Sequence, residues 1–391
     1  MANRVGMEVS IAAAHAVNQA RVDVISAYPI TPQTHIVEHL SELVANGELD
    51  AEFIPVESEH SALSVCVGSE AVGARSFTCS SSQGLALMSE ITYIVSAMRL
   101  PIVMIIANRA LSAPISIWND HSDVMSVRDC GWIQFFAENG QDAYDQVFCA
   151  YRLAENRHVL LPVIINMDGF ILSHMIESIE LLEQEKVDQF LPRYQPLHRL
   201  YPDSPVTMGG IALPSIYAEA KKAQEVALES SMPKISETWR AFGDLTGRYY
   251  HPVEAYRAED AETILVTLGS LGETASVAVD RMREEGRPVG LAKIRLWRPF
   301  PVDELKRIAS HAKQLVVIDR SVSVGAPGGP VALETKGVFY GTDQKPSIYN
   351  FVAGISGRDV TPLDFTRMVD KAEIEIEEGN QEGYEMYGVR G

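Results

Sequence analysis

Three short stretches of the chain bring together side chains that can carry a proton or hold an anion. In Ala27-Tyr-Pro-Ile-Thr-Pro-Gln-Thr34, the Thr31 hydroxyl precedes an apolar repeat of helical spacing. Pro32 suits the first position of a helix, which makes Thr31 its expected N-cap. The hydroxyl and the amides around it then either cap that helix and no more, or receive an anion at its head. Pro55-Val-Glu-Ser-Glu-His-Ser61 carries Glu57, Glu59 and His60. Acidic residues suit a helix N-terminus in any case. The residues that follow (Ala62, Leu63, Val65, Cys66, Val67, Gly68) are small and apolar, so the helix is expected to be buried. A carboxylate at its head would lie near the interior, with a raised pKa. In the third stretch, Arg109 follows the wholly apolar run 102–107. Lys and Arg total 33 against 52 Asp and Glu, a formal charge of −19. In so acidic a chain, a guanidinium at a strand end is a two-pronged receiver for a carboxylate. The competing reading is an ion pair of Arg109 with Asp120 or Asp123. Asp120, His121 and Asp123 also look like metal ligands, but short polar turns of this kind bond to themselves, and no metal is expected there.

Other motifs are weaker or absent. Ser80-Ser-Ser-Gln-Gly84 is a hydroxyl-rich turn ahead of a helix, without the Gly-Lys-Ser/Thr ending of a phosphate-binding loop. Glycine turns also occur at 269–274, 326–330 and 354–359, none of them Gly-x-Gly-x-x-Gly. Neither a Gly-x-Ser-x-Gly elbow nor a His-Glu-x-x-His helix is present. The four cysteines, Cys66, Cys79, Cys130 and Cys149, include no Cys-x-x-Cys pair, which argues against an iron–sulfur or zinc site on this chain alone. Scattered unpaired cysteines suit a reducing compartment, and the N-terminus has no apolar signal core, so a cytoplasmic setting is expected. The negative charge disfavours nucleic acid and anionic membrane as partners. The longest apolar runs, 100–107 and 159–167, are far short of the roughly 20 residues of a membrane span.

The elements that must hold these turns follow from periodicity. Short strands at 22–26, 52–56, 75–79, 102–107, 132–137 and 159–167 alternate with helices at 61–73, 85–98 and 143–155. Strands apolar on both faces and separated by helices form a parallel sheet covered on both sides, and ligands bind at the carboxyl ends of such strands. The fold class is α/β. Residues 1–175 read as a first domain. The proline-rich stretch 176–257, with one helix at 216–229, reads as a connecting arm packed on it. Residues 258–391 read as a second, smaller α/β domain with strands at 263–268, 289–296, 315–319 and 347–353. The acidic tail after Ile376 is expected to cross onto a neighbour or fray.

Taken in order, the turns resemble the α-subunit of the 2-oxoacid:ferredoxin oxidoreductases, with pyruvate-type subunits nearest. Besides the three stretches above, the likeness is carried by Met98-Arg-Leu-Pro-Ile-Val103, Asp120-His-Ser-Asp123, Arg128-Asp-Cys-Gly-Trp-Ile133 and Leu296-Trp-Arg-Pro-Phe-Pro301. The resemblance implies a pyrimidine-type thiamine diphosphate-binding domain followed by a transketolase C-terminal-like domain. It implies that a glutamate, here Glu59 by motif register with Glu57 as fallback, bonds the aminopyrimidine ring and activates the cofactor. It maps the family's substrate-binding threonine and arginine onto Thr31 and Arg109, and places Pro29 and Ile30 beside the cofactor. The Gly-Asp-Gly motif that holds the diphosphate and Mg²⁺ is missing; Phe242-Gly-Asp-Leu245 is the nearest match. The resemblance therefore implies a β-subunit carrying that site, a γ-subunit and a ferredoxin-like subunit with [4Fe-4S] clusters. Coenzyme A and a 2-oxoacid, pyruvate or an aromatic acid such as phenylglyoxylate or indolepyruvate, complete the set.

Overall fold

The computed structural model describes residues 3–342, 345–379 and 384–390. The first part of the chain runs β1 (Asn3–Glu8), α1 (Val9–Gln19), β2 (Val24–Ala27), α2 (Thr34–Ala45), β3 (Glu52–Pro55), α3 (Glu59–Ala71), β4 (Ser76–Ser80), α4 (Ser82–Met98), β5 (Val103–Asn108), α5 (Ser122–Ser126), β6 (Ile133–Phe136), α6 (Gly140–Ala154) and β7 (Val163–Asp168). Then come β8 (Ile176–Leu181), α7 (Gln184–Phe190), α8 (Pro214–Glu229), α9 (Met232–Thr246) and β9 (Val253–Tyr256). The last part holds β10 (Thr263–Leu268), α10 (Leu271–Glu284), β11 (Val289–Ile294), β12 (Leu296–Arg298), α11 (Val302–Ala309), β13 (Gln314–Asp319), α12 (Pro330–Phe339), β14 (Ser347–Val352), α13 (Pro362–Glu377) and β15 (Tyr384–Met386).

Seven strands make the first sheet, in the order β12-β6-β7-β5-β4-β2-β3. All pair in parallel except β12, which lies antiparallel on β6. Every residue of β4, β5, β6 and β7 is buried, because helices cover both faces. Alternation along β5 divides its side chains between two cores. Val103, Ile105 and Ala107 join α1, α2 and α6 on one face; Met104 and Ile106 join α3 and α4 on the other. That second core continues through Trp132 and Ile164 into Ile264, Trp297 and Leu305, so one apolar cluster is shared by both sheets. The second sheet has the order β15-β14-β13-β10-β11-β9, with β9 antiparallel to β11.

Residues 176–257 contain more than the single helix expected from periodicity. Besides α8, which buries no residue, they hold β8, α7, α9 and β9. β8 pairs antiparallel with β1, Trp239 and Phe242 of α9 sit in the first core, and β9 joins the second sheet. The strand expected over 289–296 breaks at Arg295, and its end crosses to the first sheet as β12. Within the described part of the tail, Tyr384–Met386 extends the chain's own second sheet beside β14, and the Tyr387 hydroxyl donates to Asp364 Oδ1 at 2.9 Å. Among the described residues, no helix is long and apolar enough to cross a membrane.

Candidate active site

The turn after β2 is longer than a capped helix requires. α2 begins at Thr34 with Gln33 as its N-cap residue, and the Thr31–Pro32 peptide is cis. Thr31 is therefore in the body of the turn, two residues ahead of the cap. The buried Gln33 side chain braces the loop from inside: Nε2 donates to the Tyr28 carbonyl at 2.8 Å, and Oε1 accepts from Cys79 Sγ at 3.4 Å. Gly169 lets the chain pass close by, since a Cβ there would stand 2.6 Å from Pro32 Cγ and 2.4 Å from the Asn108 carbonyl oxygen. Tyr28, Pro29 and Thr31 are exposed and Ile30 is half-buried, so the crest of the loop faces outward.

Glu59 is the first residue of α3, behind the N-cap Ser58, whose hydroxyl accepts from the Ser61 amide at 3.3 Å. The two glutamates of this turn differ in setting. Glu57 faces solvent and accepts from the Ser61 hydroxyl, a bond that holds its pKa below the ordinary value. Glu59 is 6% exposed. Its carboxylate has no hydrogen-bond or ion-pair partner among the described residues. It lies against the opening turn of α4: a Cβ on Gly84 would stand 2.6 Å from Glu59 Oε1, 2.8 Å from its Cγ and 2.4 Å from Ser80 Oγ. The hydroxyls of Ser80 and Ser81 in that turn are buried without a partner.

Arg109 begins the turn after β5 and is 6% exposed. Its Nε donates to the Ser116 carbonyl at 2.7 Å and its Nη1 to the Thr31 carbonyl at 3.0 Å. Burial pushes its pKa down, with Asp123 opposing. Neither Asp120 nor Asp123 accepts from the guanidinium. Asp120 Oδ1 accepts instead from the Ser122 amide at 2.9 Å. Asp123 accepts the Arg109 amide at 3.0 Å. The ion-pair reading of Arg109 is thus replaced by two backbone carbonyls, which leave Nη2 without an acceptor among the described residues. Asp123 is fully buried, and burial outweighs its hydrogen bonds to push its carboxyl up to about 6.

His121 turns away from both aspartates, its Nε2 lying 2.7 Å from Asp168 Oδ1. Among the described residues no group of three His, Cys, Asp or Glu side chains could hold a metal. Asp168, at the end of β7, also accepts from Arg320 Nη1 at 2.7 Å and from the Ser270 amide at 3.1 Å. Burial works against its ionisation, but Arg320 and His121 overcome that and hold it well below the usual carboxylate range. This cluster joins the two sheets next to the Arg109 turn and went unread in the sequence. Its only local signal is a charged residue closing an apolar strand. The glycine turns serve the same joint or their own helices. Ser270 meets Asp168, the Gly357 amide donates to the Asn119 carbonyl at 2.6 Å, and Asp319 caps α12 through the Val331 amide at 2.7 Å.

The geometry thus unites Thr31 and Arg109 directly, and sets Glu59 against the Ser80–Gly84 turn at the same carboxyl edge of the sheet. A family described as pyruvate flavodoxin/ferredoxin oxidoreductase, thiamine diphosphate-binding, matches residues 15–239. Pyruvate:ferredoxin oxidoreductase core domain II matches residues 261–365. Pyruvate synthase subunit PorA of Pyrococcus furiosus is 47% identical over 377 residues, covering 96% of this chain and 95% of the relative. Ketoisovalerate oxidoreductase subunit VorA of Pyrococcus horikoshii is 44% identical over 370 residues, 94% of this chain and 93% of the relative. Among solved structures, 2-oxoglutarate:ferredoxin oxidoreductase from Magnetococcus marinus, determined with 2-oxoglutarate, coenzyme A and succinyl-CoA bound, superposes with a TM-score of 0.71 at 19% identity. That match covers 95% of this chain and 65% of the other, and it bears on the fold alone. The chain belongs to the pyruvate flavodoxin/ferredoxin oxidoreductase family.

Proposed function

We propose that the chain is the α-type subunit of a thiamine diphosphate-dependent, CoA-acylating oxidoreductase that oxidatively decarboxylates pyruvate to acetyl-CoA and CO₂. The observation that carries this reading is Glu59, a buried carboxylate at a helix head with no partner among the described residues. Beside it stand the unpartnered hydroxyls of Ser80 and Ser81 and the bare backbone of Gly84. Unmet polar groups around a glycine cradle fit the aminopyrimidine end of the cofactor, with Glu59, Pro29, Ile30 and Thr31 as its holders. When bound, thiamine diphosphate supplies the carbanion that adds to the 2-oxo carbon and takes up the electrons released on decarboxylation. Glu59 would hold the aminopyrimidine end by a hydrogen bond to a ring nitrogen, where a positioned carboxylate could exchange a proton with it. Arg109, whose Nη2 edge remains open, receives the substrate carboxylate beside Thr31.

The same reading assigns the remaining parts to other chains. The nearest stretch to Gly-Asp-Gly, residues 242–245, is helical and lies in α9. The diphosphate and Mg²⁺ are therefore assigned to a β-subunit. All four cysteines are buried, so the [4Fe-4S] clusters that carry the two electrons away are assigned to partner subunits, a ferredoxin-like one among them, with a γ-subunit completing the complex. Exposed Tyr28, Ile115, Ile117 and Trp118 flank the Thr31–Arg109 pair and suit a face that another subunit covers in the cytoplasm. The test is Glu59→Gln in the reconstituted complex. Turnover should fall at least about 100-fold, the low end for a general acid–base group, with assembly retained. A larger loss in Glu57→Gln would transfer the role to Glu57.

A further inference from the structure

We propose that Asp123 is the positioning residue that fixes Arg109 relative to the Glu59 side of the site. The proposal rests on the reading of Arg109 as the substrate-carboxylate receiver. Asp123 is fully buried, yet no cationic side chain among the described residues pairs with it; each of its partners is a neutral N–H. Oδ2 accepts from the Arg109 amide and from the Ser82 amide, each at 3.0 Å. Oδ1 accepts from Asn108 Nδ2 at 3.1 Å and from the Val124 amide at 2.7 Å. One oxygen thus sits between the first residue of the Arg109 turn and the first residue of α4, two positions ahead of the Gly84 that touches Glu59. The Ser82 hydroxyl lies 2.6 Å from the Ala110 carbonyl oxygen and 2.6 Å from Gln83 Oε1, with one proton to give. The Ser82 backbone stands at φ 49°, a left-handed conformation uncommon for residues other than glycine.

The choice of side chain matters. A buried charge is costly unless its hydrogen bonds are satisfied, and no neutral residue of this size accepts from four donors. Asparagine has one acceptor oxygen and would turn an NH₂ toward two N–H groups. The carboxylate therefore serves as a four-point anchor that ties the backbone of the Arg109 turn to the head of α4.

The test compares Asp123→Asn, Arg109→Met and the double variant in the assembled complex, reading the KM for pyruvate and the thiamine diphosphate content. Asp123→Asn should raise KM about 10-fold or more with cofactor content unchanged. The double variant should be no worse than Arg109→Met alone, because Asp123 acts through Arg109. A normal KM in Asp123→Asn, or effects that multiply in the double variant, would overturn the proposal. An Arg109→Met complex of normal KM would instead remove the reading on which it rests. If Asp123→Asn does not assemble, Asn108→Ala decides: it deletes one of the four donors and leaves both clamped amides in place. It should give a smaller KM rise that disappears in the Arg109→Met background; no rise, or a rise that persists there, counts against the anchor.

Discussion

Gly84→Ala perturbs the site through a single methyl group. The new Cβ would stand 2.4 Å from Ser80 Oγ, 2.6 Å from Glu59 Oε1 and 2.8 Å from Glu59 Cγ. Ordinary carbon contacts begin near ~3.5 Å, so a gap of about 1 Å must open. Gly84 lies in the first turn of α4, where alanine gains up to about 1 kcal/mol in helix propensity. Overpacking of this kind costs about 1–3 kcal/mol. The two largely offset, and the net change in stability should stay within about 2 kcal/mol. What yields is Glu59, because no partner among the described residues holds its carboxylate, whereas Ser80 ends a fully buried strand. A displacement of about 1 Å in a catalytic group can lower the rate about 100-fold. Pyruvate-dependent reduction of an artificial electron acceptor by the reconstituted complex should therefore fall by about two orders of magnitude, while the melting temperature changes little. Full turnover at an unchanged melting temperature would show that Glu59 need not occupy the position seen here. A large fall in melting temperature with normal turnover per folded complex would place the strain in the backbone.

Arg109→Met should lower kcat/KM for pyruvate about 10- to 1,000-fold, from the roughly 1.5–3 kcal/mol that each charged hydrogen bond to the substrate carboxylate contributes. Arg109→Lys should recover only part, since an ammonium cannot reproduce the fork; equal activity of the two variants would contradict bidentate binding. Calorimetric titration of the isolated chain with thiamine diphosphate and Mg²⁺ should give no binding at micromolar concentration, and tight binding without a partner would mean that the chain holds the diphosphate itself. Glu70 tests the interior at the opposite edge of the sheet. Burial and the nearby Glu155 push its carboxyl from 4.5 up to about 8, so the folded chain keeps a proton that the unfolded chain has lost. Its contribution to stability is present below about pH 4.5 and is lost as pH rises toward 8. Glu70→Gln should remove that fall, seen as a smaller difference between urea midpoints at about pH 5 and about pH 8; an unchanged difference would place the proton elsewhere.

What could be read before the fold was known follows from the burial of the sheet. β4 to β7 are buried along their whole length, so in sequence they are plain apolar runs, and any residue with chemistry must lie where a run ends. The ends of these runs single out the Ser80–Gly84 turn after β4 and Arg109 after β5, and the ends of the less buried β2 and β3 lead in the same way to Thr31 and Glu59. The partners of these residues were not legible, because most are backbone groups. Arg109 bonds two carbonyls, and carbonyls leave no trace in sequence, whereas Asp120 and Asp123 are conspicuous and drew the ion-pair reading. The cis peptide before Pro32 was hidden for a similar reason, since Thr-Pro at a helix start equally suits an N-cap followed by a first-turn proline. Distance along the chain conceals the rest. β1 and β8 pair although they stand at residues 3–8 and 176–181, and Asp168 meets Arg320 152 residues away. Each looks locally like a solvated strand end or a stretch of arm. The site depends on both kinds of information: local spacing places each side chain at the carboxyl edge, and long-range burial brings the turns into register. Asp123 belongs to both, as a residue of a recognisable polar turn whose four donors come from three segments that only the folded sheet makes neighbours.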